Sequence, residues 1–207
     1  MARKKEKKKE SWVGTVIWCV LIVAVVIALR TFVFSPMKIS GHSMDPTLAD
    51  GERVISVKVA PIKRFDIVTL KAPDDPSKDY VKRIIGLPGD TVEMKNDTLY
   101  INGKKYNEPY LDDFKKKLKA GTLASQYEAA YQPMVKSAKL FTENFSLQTL
   151  ASTKGAIKVP KDAYFVMGDN RLISKDSRML GFIPKKNILG VVEFIYWPLK
   201  DFGPIKN

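Results

Sequence analysis

Cysteine and histidine are almost missing from this chain, and each scarcity removes a class of chemistry. The 207 residues contain one cysteine, Cys19, and one histidine, His42. A single thiol cannot form a disulfide within the chain, so the fold must be held by packing. Cys19 lies inside an apolar run, whereas a catalytic thiol needs an aqueous cleft and a paired base. One histidine cannot supply a site with two or more imidazole ligands, such as HExxH. It is also badly placed for a Ser-His-Asp triad. His42 adjoins Ser43, and neighbouring side chains of an extended segment point to opposite faces. It reads instead as a half-exposed histidine in a loop or strand. No metal or organic cofactor is called for, and there is no internal repeat.

What is abundant is positive charge and one long apolar stretch. The formal net charge is +13. Residues 3–10 hold six basic side chains against Glu6 and Glu10, and residues 13–29 carry no charge at all. As a helix those 17 residues reach about 26 Å. Adding Trp12 and residues 31–34, with Arg30 snorkelling, makes a comfortable membrane span over 12–34. The preceding basic cluster predicts a cytoplasmic N-terminus, residues 1–11, by the positive-inside rule. Residues 35–207 then lie outside the cytoplasm, on a single-pass protein of the cell membrane. A cleavable secretory signal has a similar outline, but Leu29-Arg-Thr-Phe-Val-Phe-Ser-Pro36 offers no Ala-x-Ala site. Ser35-Pro36 is expected to end the helix. The charge suits anionic lipid headgroups, so the bilayer is one partner. Nucleic acid is not expected, since no zinc finger, helix-turn-helix or aromatic-basic motif accompanies the charge.

Beyond the anchor the pattern turns to short β-rich runs at 54–57, 67–70, 91–94 and 99–101. Asn102-Gly103 predicts a tight hairpin between Leu99-Tyr-Ile and Lys104-Lys-Tyr. Residues 163–167 and 190–196 read as buried strands. The fold class is therefore mainly β: an antiparallel, partly closed, barrel-like sheet domain behind one transmembrane helix. Residues 107–158 differ and read as an inserted cap. Within it 112–131 is rich in Lys, Leu, Ala, Glu and Gln, with Leu118, Leu123, Tyr127 and Tyr131 near helical spacing. The run Lys115–Lys117 reads as a solvated face.

Two residues stand in unusual contexts. Ser43 lies in Ser40-Gly-His-Ser-Met-Asp-Pro-Thr-Leu48, and Lys82 in Tyr80-Val-Lys-Arg-Ile-Ile-Gly-Leu-Pro-Gly-Asp90. A serine hydroxyl is a poor nucleophile until a base takes its proton. Without a usable histidine that base is a carboxylate or a lysine, and a lysine serves only when burial keeps it neutral. With a strand's period of two, Lys82 shares a face with Tyr80 and Ile84, opposite Val81 and Arg83. Lys82 can then turn inward while Arg83 reaches solvent or a partner. Spacing alone leaves Lys82 open to being a surface strand lysine.

A third run, Gly168-Asp-Asn-Arg-Leu-Ile-Ser-Lys-Asp-Ser-Arg178, completes a set. Behind an anchor and in this order, the three runs resemble the boxes of the type I signal peptidases, bacterial leader peptidases with a Ser-Lys dyad. The resemblance implies a membrane-bound serine endopeptidase that removes N-terminal signal peptides from exported preproteins. It implies Ser43 as nucleophile and Lys82 as general base, with Ser174 hydrogen-bonding and orienting the lysine amine. Asp176 and Arg178 match a supporting ion pair, and residues 168–170 a turn beside the site. Ile39 and Val81 match positions lining a substrate groove that accepts small side chains; Met44 is either a wall of the site or plain core. Some relatives carry a serine two residues before the nucleophile to help stabilise the oxyanion. Gly41 stands there, as in Gram-positive forms, which leaves the second donor unassigned.

The residues argue against two other classes of answer. A tethered, non-catalytic β domain is expected to have lost at least one of Ser43, Lys82 and Ser174. A self-cleaving, nucleic-acid-linked relative would lack the spanning segment and carry a DNA-reading motif.

Overall fold

The computed structural model describes residues 12–205, so the basic cluster that predicts a cytoplasmic N-terminus lies outside the described residues. Helix α1, Trp12–Phe32, buries none of its residues. It is long and apolar enough to cross a membrane. The helix stops two residues earlier than expected. Phe34 already opens strand β1 (Phe34–Lys38), and Ser35-Pro36 sit within that strand rather than at the helix end. Pro36 is tolerated because β1 is the first strand of its sheet, with no neighbour on the other side to require its missing N–H.

Eleven more strands follow: β2 Arg53–Val57, β3 Ile67–Lys71, β4 Asp79–Gly86, β5 Val92–Lys95, β6 Thr98–Ile101 and β7 Lys104–Tyr106, then β8 Phe145–Ser146, β9 Ala163–Met167, β10 Ile183–Pro184, β11 Ile188–Trp197 and β12 Gly203–Pro204. They make two sheets, antiparallel throughout. The larger runs β1-β2-β11-β3-β4-β9-β10 with β12 beside β11, and the smaller β7-β6-β5-β8. Register shifts in β11 against β2 and β3, and in β4 against β9, add local twist and curl the larger sheet. The mainly antiparallel, partly closed β architecture expected from the sequence is the one observed. Asn102 and Gly103 both adopt positive φ, 53° and 74°, as a two-residue type I′ hairpin requires, and Ile101 pairs with Lys104. Of the two strands expected to be buried, β9 is buried throughout. β11 is only partly so: within 190–196 Glu193 is exposed and Phe194 and Tyr196 are half-buried.

Ile85, Met94, Leu99, Phe165 and Met167 fill the space between the two sheets. A second cluster, Ile39, Met44, Leu48, Val54, Ile67, Val192 and Ile195, lies beneath the loop that carries Ser43. Met44 thus belongs to the core, and it also lines the pocket beside Ser43 and Lys82. A fully buried aliphatic side chain of this kind contributes roughly 1.5–3 kcal/mol.

The inserted segment differs from its expected outline. Helix α2 is Asp112–Lys119, followed by a single 3-10 turn at Leu123–Gln126 and helix α3 at Gln132–Ser137. Gly121, at φ +69°, ends α2 in a left-handed conformation, so Leu118, Leu123, Tyr127 and Tyr131 do not form one continuous helical face. Tyr131 is exposed, whereas Leu123 and Tyr127 are buried in the segment's own core with Phe114, Val135 and Phe141. Nor does the segment stay apart to residue 158. β8 pairs with β5, and Phe145, Leu147 and Val159 join the core between the sheets. The lysine run is only partly solvated, since Lys115 Nζ donates to the Asp97 carbonyl at 2.8 Å and Lys117 pairs with Asp113.

Candidate active site

Ser43 lies in the loop between β1 and β2. The loop is closed by Ile39 N–H to Glu52 O (2.8 Å) and Gly51 N–H to Ile39 O (3.0 Å), and tightened by Thr47 and Leu48 N–H groups bonded to Met44 O. Gly41 takes φ +87° at its turn, a backbone conformation that a side chain would strain. Met44 and Leu48, pointing into the core below, fix the loop's height above the sheet.

Lys82 sits in β4, opposite Val68 of β3. Its Nζ lies 2.9 Å from Ser43 Oγ, across 39 residues of sequence. Lys82 is 4% exposed. Burial pulls its pKa from 10.5 down to about 8, against the carboxylates of Asp176 and Asp169, which favour the ammonium. At pH 7 about one amine in ten is then neutral, roughly three hundred times the fraction for an ordinary lysine. The ring of Tyr80, two residues away on the same strand face, lies 5.3 Å from Nζ.

Arg83 points the other way, as the strand period predicts, but that side is also interior. Its side chain is fully buried: Nε and Nη2 donate to the Asp169 carboxylate at 2.8 and 2.6 Å, and Nη1 to Phe65 O at 2.8 Å. The guanidinium lies 3.9 Å from the Tyr110 ring centre. Of the two destinations expected for Arg83, solvent is wrong. The apolar layer between the sheets covers the face that an open, two-sided reading of β4 leaves wet.

The turn after β9 presses directly on the Ser43 loop. Asn170 N–H donates to Ser43 O at 3.1 Å, and its Nδ2 to His42 O at 2.9 Å. Asp169 accepts from Thr47 Oγ1 at 2.5 Å, and Arg171 pairs with buried Glu108. Gly168 is required by closeness: a Cβ there would stand 2.1 Å from Ser174 Oγ and 2.5 Å from Ser43 O. Gly168 N–H donates to Asp176 Oδ2 at 2.9 Å, and Arg178 grips the same carboxylate through Nε (2.9 Å) and Nη2 (2.8 Å). Burial pushes the Asp176 carboxyl up, but Arg178 and the backbone donors outweigh it and hold it below the usual range. Asp176 and Arg178 therefore form an ion pair behind the turn. The Ser174 hydroxyl is buried beside Gly168 but makes no hydrogen bond among the described residues, so the bond to Lys82 implied by resemblance is not formed in this structure.

A groove of about 290 Å³ opens over these residues. Ile39 and Val81 line it with Ser43 and Lys82, and Tyr131 and Ile173 stand on the side of the inserted segment. His42 turns to Asp45, its Nδ1 3.0 Å from Oδ2. Sequence reasoning brought Ser43, Lys82, Ile39, Val81, Ser174, Asp176 and Arg178 to one place, but it missed Thr47, Tyr127 and the roles of Arg83, Asp169 and Asn170. The one available signal was the Asp-Asn-Arg run itself, whose three polar residues need buried partners.

Known proteins share both sequence and fold with this chain. A family model described as "Signal peptidase, peptidase S26" matches residues 12–197. "Signal peptidase I" of Bacillus caldolyticus is 42% identical over 207 residues, covering 98% of each chain. "Signal peptidase I" of Streptococcus pneumoniae (strain ATCC BAA-255 / R6) is 42% identical over 188 residues, 88% of this chain and 92% of the relative. A crystal structure of a signal peptidase I from Enterococcus faecalis V583 superimposes with a TM-score of 0.51 at 37% identity, covering 64% of this chain and 97% of that one.

Proposed function

The chain belongs to the signal peptidase family, peptidase S26, and from that premise we propose that it removes signal peptides from exported preproteins with Ser43 as nucleophile and Lys82 as general base. The observation that carries this reading is the 2.9 Å contact between Lys82 Nζ and Ser43 Oγ, with the amine shielded from water. A neutral amine accepts the hydroxyl proton as Oγ attacks the carbonyl carbon at the cleavage site. The Ser43 N–H is one donor to the resulting oxyanion. When the peptide C–N bond breaks, the Lys82 ammonium gives its proton to the leaving amine, and the signal peptide remains as an ester on Ser43. Water, losing a proton to Lys82, then hydrolyses the ester and restores the hydroxyl. Asp176 and Arg178 support the turn that holds the loop. Ser174 is assigned to receive the amine during this cycle, a role supported by the nearness of its hydroxyl to Gly168 and the Ser43 backbone.

Two open strand edges favour an extended substrate. β1 is the terminal strand of its sheet, and Asp79–Lys82 of β4 pairs with β3 on one side while β9 reaches only from Arg83 onward. Both segments line the groove. A signal peptide can pair its backbone with them while small side chains meet Ile39 and Val81. Helix α1 is assigned as a single-pass anchor in the cell membrane, with residues 1–11 in the cytoplasm and residues 35–207 outside. Enzyme and cleavage site are then held at one interface.

The test is cleavage of a preprotein whose signal ends in Ala-x-Ala by the full chain in detergent micelles. Wild type should release the mature protein, while Ser43→Ala should release none yet keep its circular dichroism. Undiminished turnover by Ser43→Ala would refute the assignment of the nucleophile.

A further inference from the structure

Beside the Arg171–Glu108 pair, the inserted segment bonds the turn over the Ser43 loop through the hydroxyl of Tyr127. Tyr127 follows the 3-10 turn at Leu123–Gln126, and its ring packs edge-on to Phe114, 6.5 Å between centres, inside the segment's own core. Its hydroxyl points out of that core and donates to Asn170 Oδ1 at 2.7 Å. The other end of the same carboxamide donates to His42 O, and the Asn170 N–H to Ser43 O. Asn170 is fully buried and Tyr127 nearly so, so these bonds are little weakened by water. A carboxamide has nearly the same shape when its oxygen and nitrogen are exchanged. With the NH₂ end committed to His42 O, the oxygen end needs a donor, and Tyr127 supplies it. Exchange of the two ends would set an oxygen against the His42 carbonyl. Burial pushes the tyrosine up to about 12, so the hydroxyl keeps its proton throughout the working pH range.

We infer that Tyr127 is a positioning residue: acting through Asn170, it holds the backbone of His42 and Ser43 so that Ser43 Oγ stays in register with Lys82. The inference rests on the reading of Ser43 as nucleophile. On this view the inserted segment is a buttress of the reacting loop as well as a wall of the groove. Tyr127 does not line the groove over Ser43 and Lys82, so the loss of its hydroxyl should appear in turnover and leave the KM nearly unchanged.

Tyr127→Phe removes only the oxygen and leaves the ring in place. In the preprotein assay its kcat should fall about 10-fold with KM within about twofold, the size expected for one buried hydrogen bond acting on geometry. Asn170→Ala should fall further, and the double variant should be no slower than Asn170→Ala, because both act through one chain of bonds. Val135→Ala loosens the segment's core without touching that chain. It should lower the Tm yet keep wild-type kcat at temperatures well below unfolding. Wild-type kcat in Tyr127→Phe would overturn the inference, as would losses that multiply in the double variant or an equal loss of kcat in Val135→Ala. A wild type that cuts no preprotein would remove the parent reading and this inference with it. A wild type that cuts while Tyr127→Phe matches it would sink the inference alone.

Discussion

Replacing Lys82 by methionine should stabilise the folded chain at neutral pH while removing the proposed base. The amine is held out of water, and burial lowers its pKa from 10.5 in the unfolded chain to about 8 in the folded one. Below pH 8 both states carry the proton, and the folded state bears the full cost of an almost dry ammonium. That gap corresponds to about 3 kcal/mol. Between pH 8 and 10.5 the unfolded chain still binds a proton that the folded chain has released, so stability rises with pH; above 10.5 the cost is gone. Methionine is of similar length and uncharged, but it gives up the hydrogen bond to Ser43 Oγ, worth about 1 kcal/mol. The net gain at pH 7 is about 2 kcal/mol, or about 4–8 °C in Tm for a domain of this size. At pH 10 the two effects nearly cancel, and the proteins should melt together. Thermal unfolding of both full-length proteins in micelles at pH 7 and pH 10 measures this directly. A variant that melts below wild type at pH 7 would refute the reasoning, as would an offset that is the same at both pH values. Either result would mean that the site does not hold a strained charge.

Two further outcomes follow from the same geometry. With Lys82 as the proposed base, which acts only when neutral, kcat/KM of wild type should rise about 10-fold from pH 7 to pH 9 and then level off, following a folded pKa of about 8. An ordinary lysine would give about a 100-fold rise without a plateau, and a flat profile would speak against any lysine base. Gly168→Ala should reduce kcat about 100-fold or more, since its Cβ must displace Ser174 Oγ or the Ser43 carbonyl from contacts near 2.5 Å or less; wild-type turnover would show that the turn does not set the nucleophile's position.

Local chemistry made several parts of the fold legible. A run of 17 uncharged residues has only a helical way to satisfy its backbone in lipid, and Asn102-Gly103 is suited to the positive φ values of a two-residue hairpin. Period two on β4 correctly placed Lys82 and Arg83 on opposite faces. It could not say what lay on each face, so Arg83 was allowed solvent where Asp169 in fact waits, 86 residues away. The helical spacing of Leu118 through Tyr131 misled for a related reason. Periodicity says which residues are apolar, while Gly121 and the packing of Phe114, Tyr127 and Phe141 decide where the helix stops.

The sequence by itself pointed to one apolar helix long enough to cross a bilayer and to an antiparallel β domain, because each depends on residue type and short spacing, whereas the pairing of Ser43 with Lys82 came only from resemblance to a family. Only the tertiary structure decided how dry the amine is, that Arg83 and Asp169 neutralise each other inside, and that Asn170 grips the Ser43 loop from 128 residues away. Burial and long-range hydrogen bonds belong to the layers brought together by folding. No stretch of ten residues carries them.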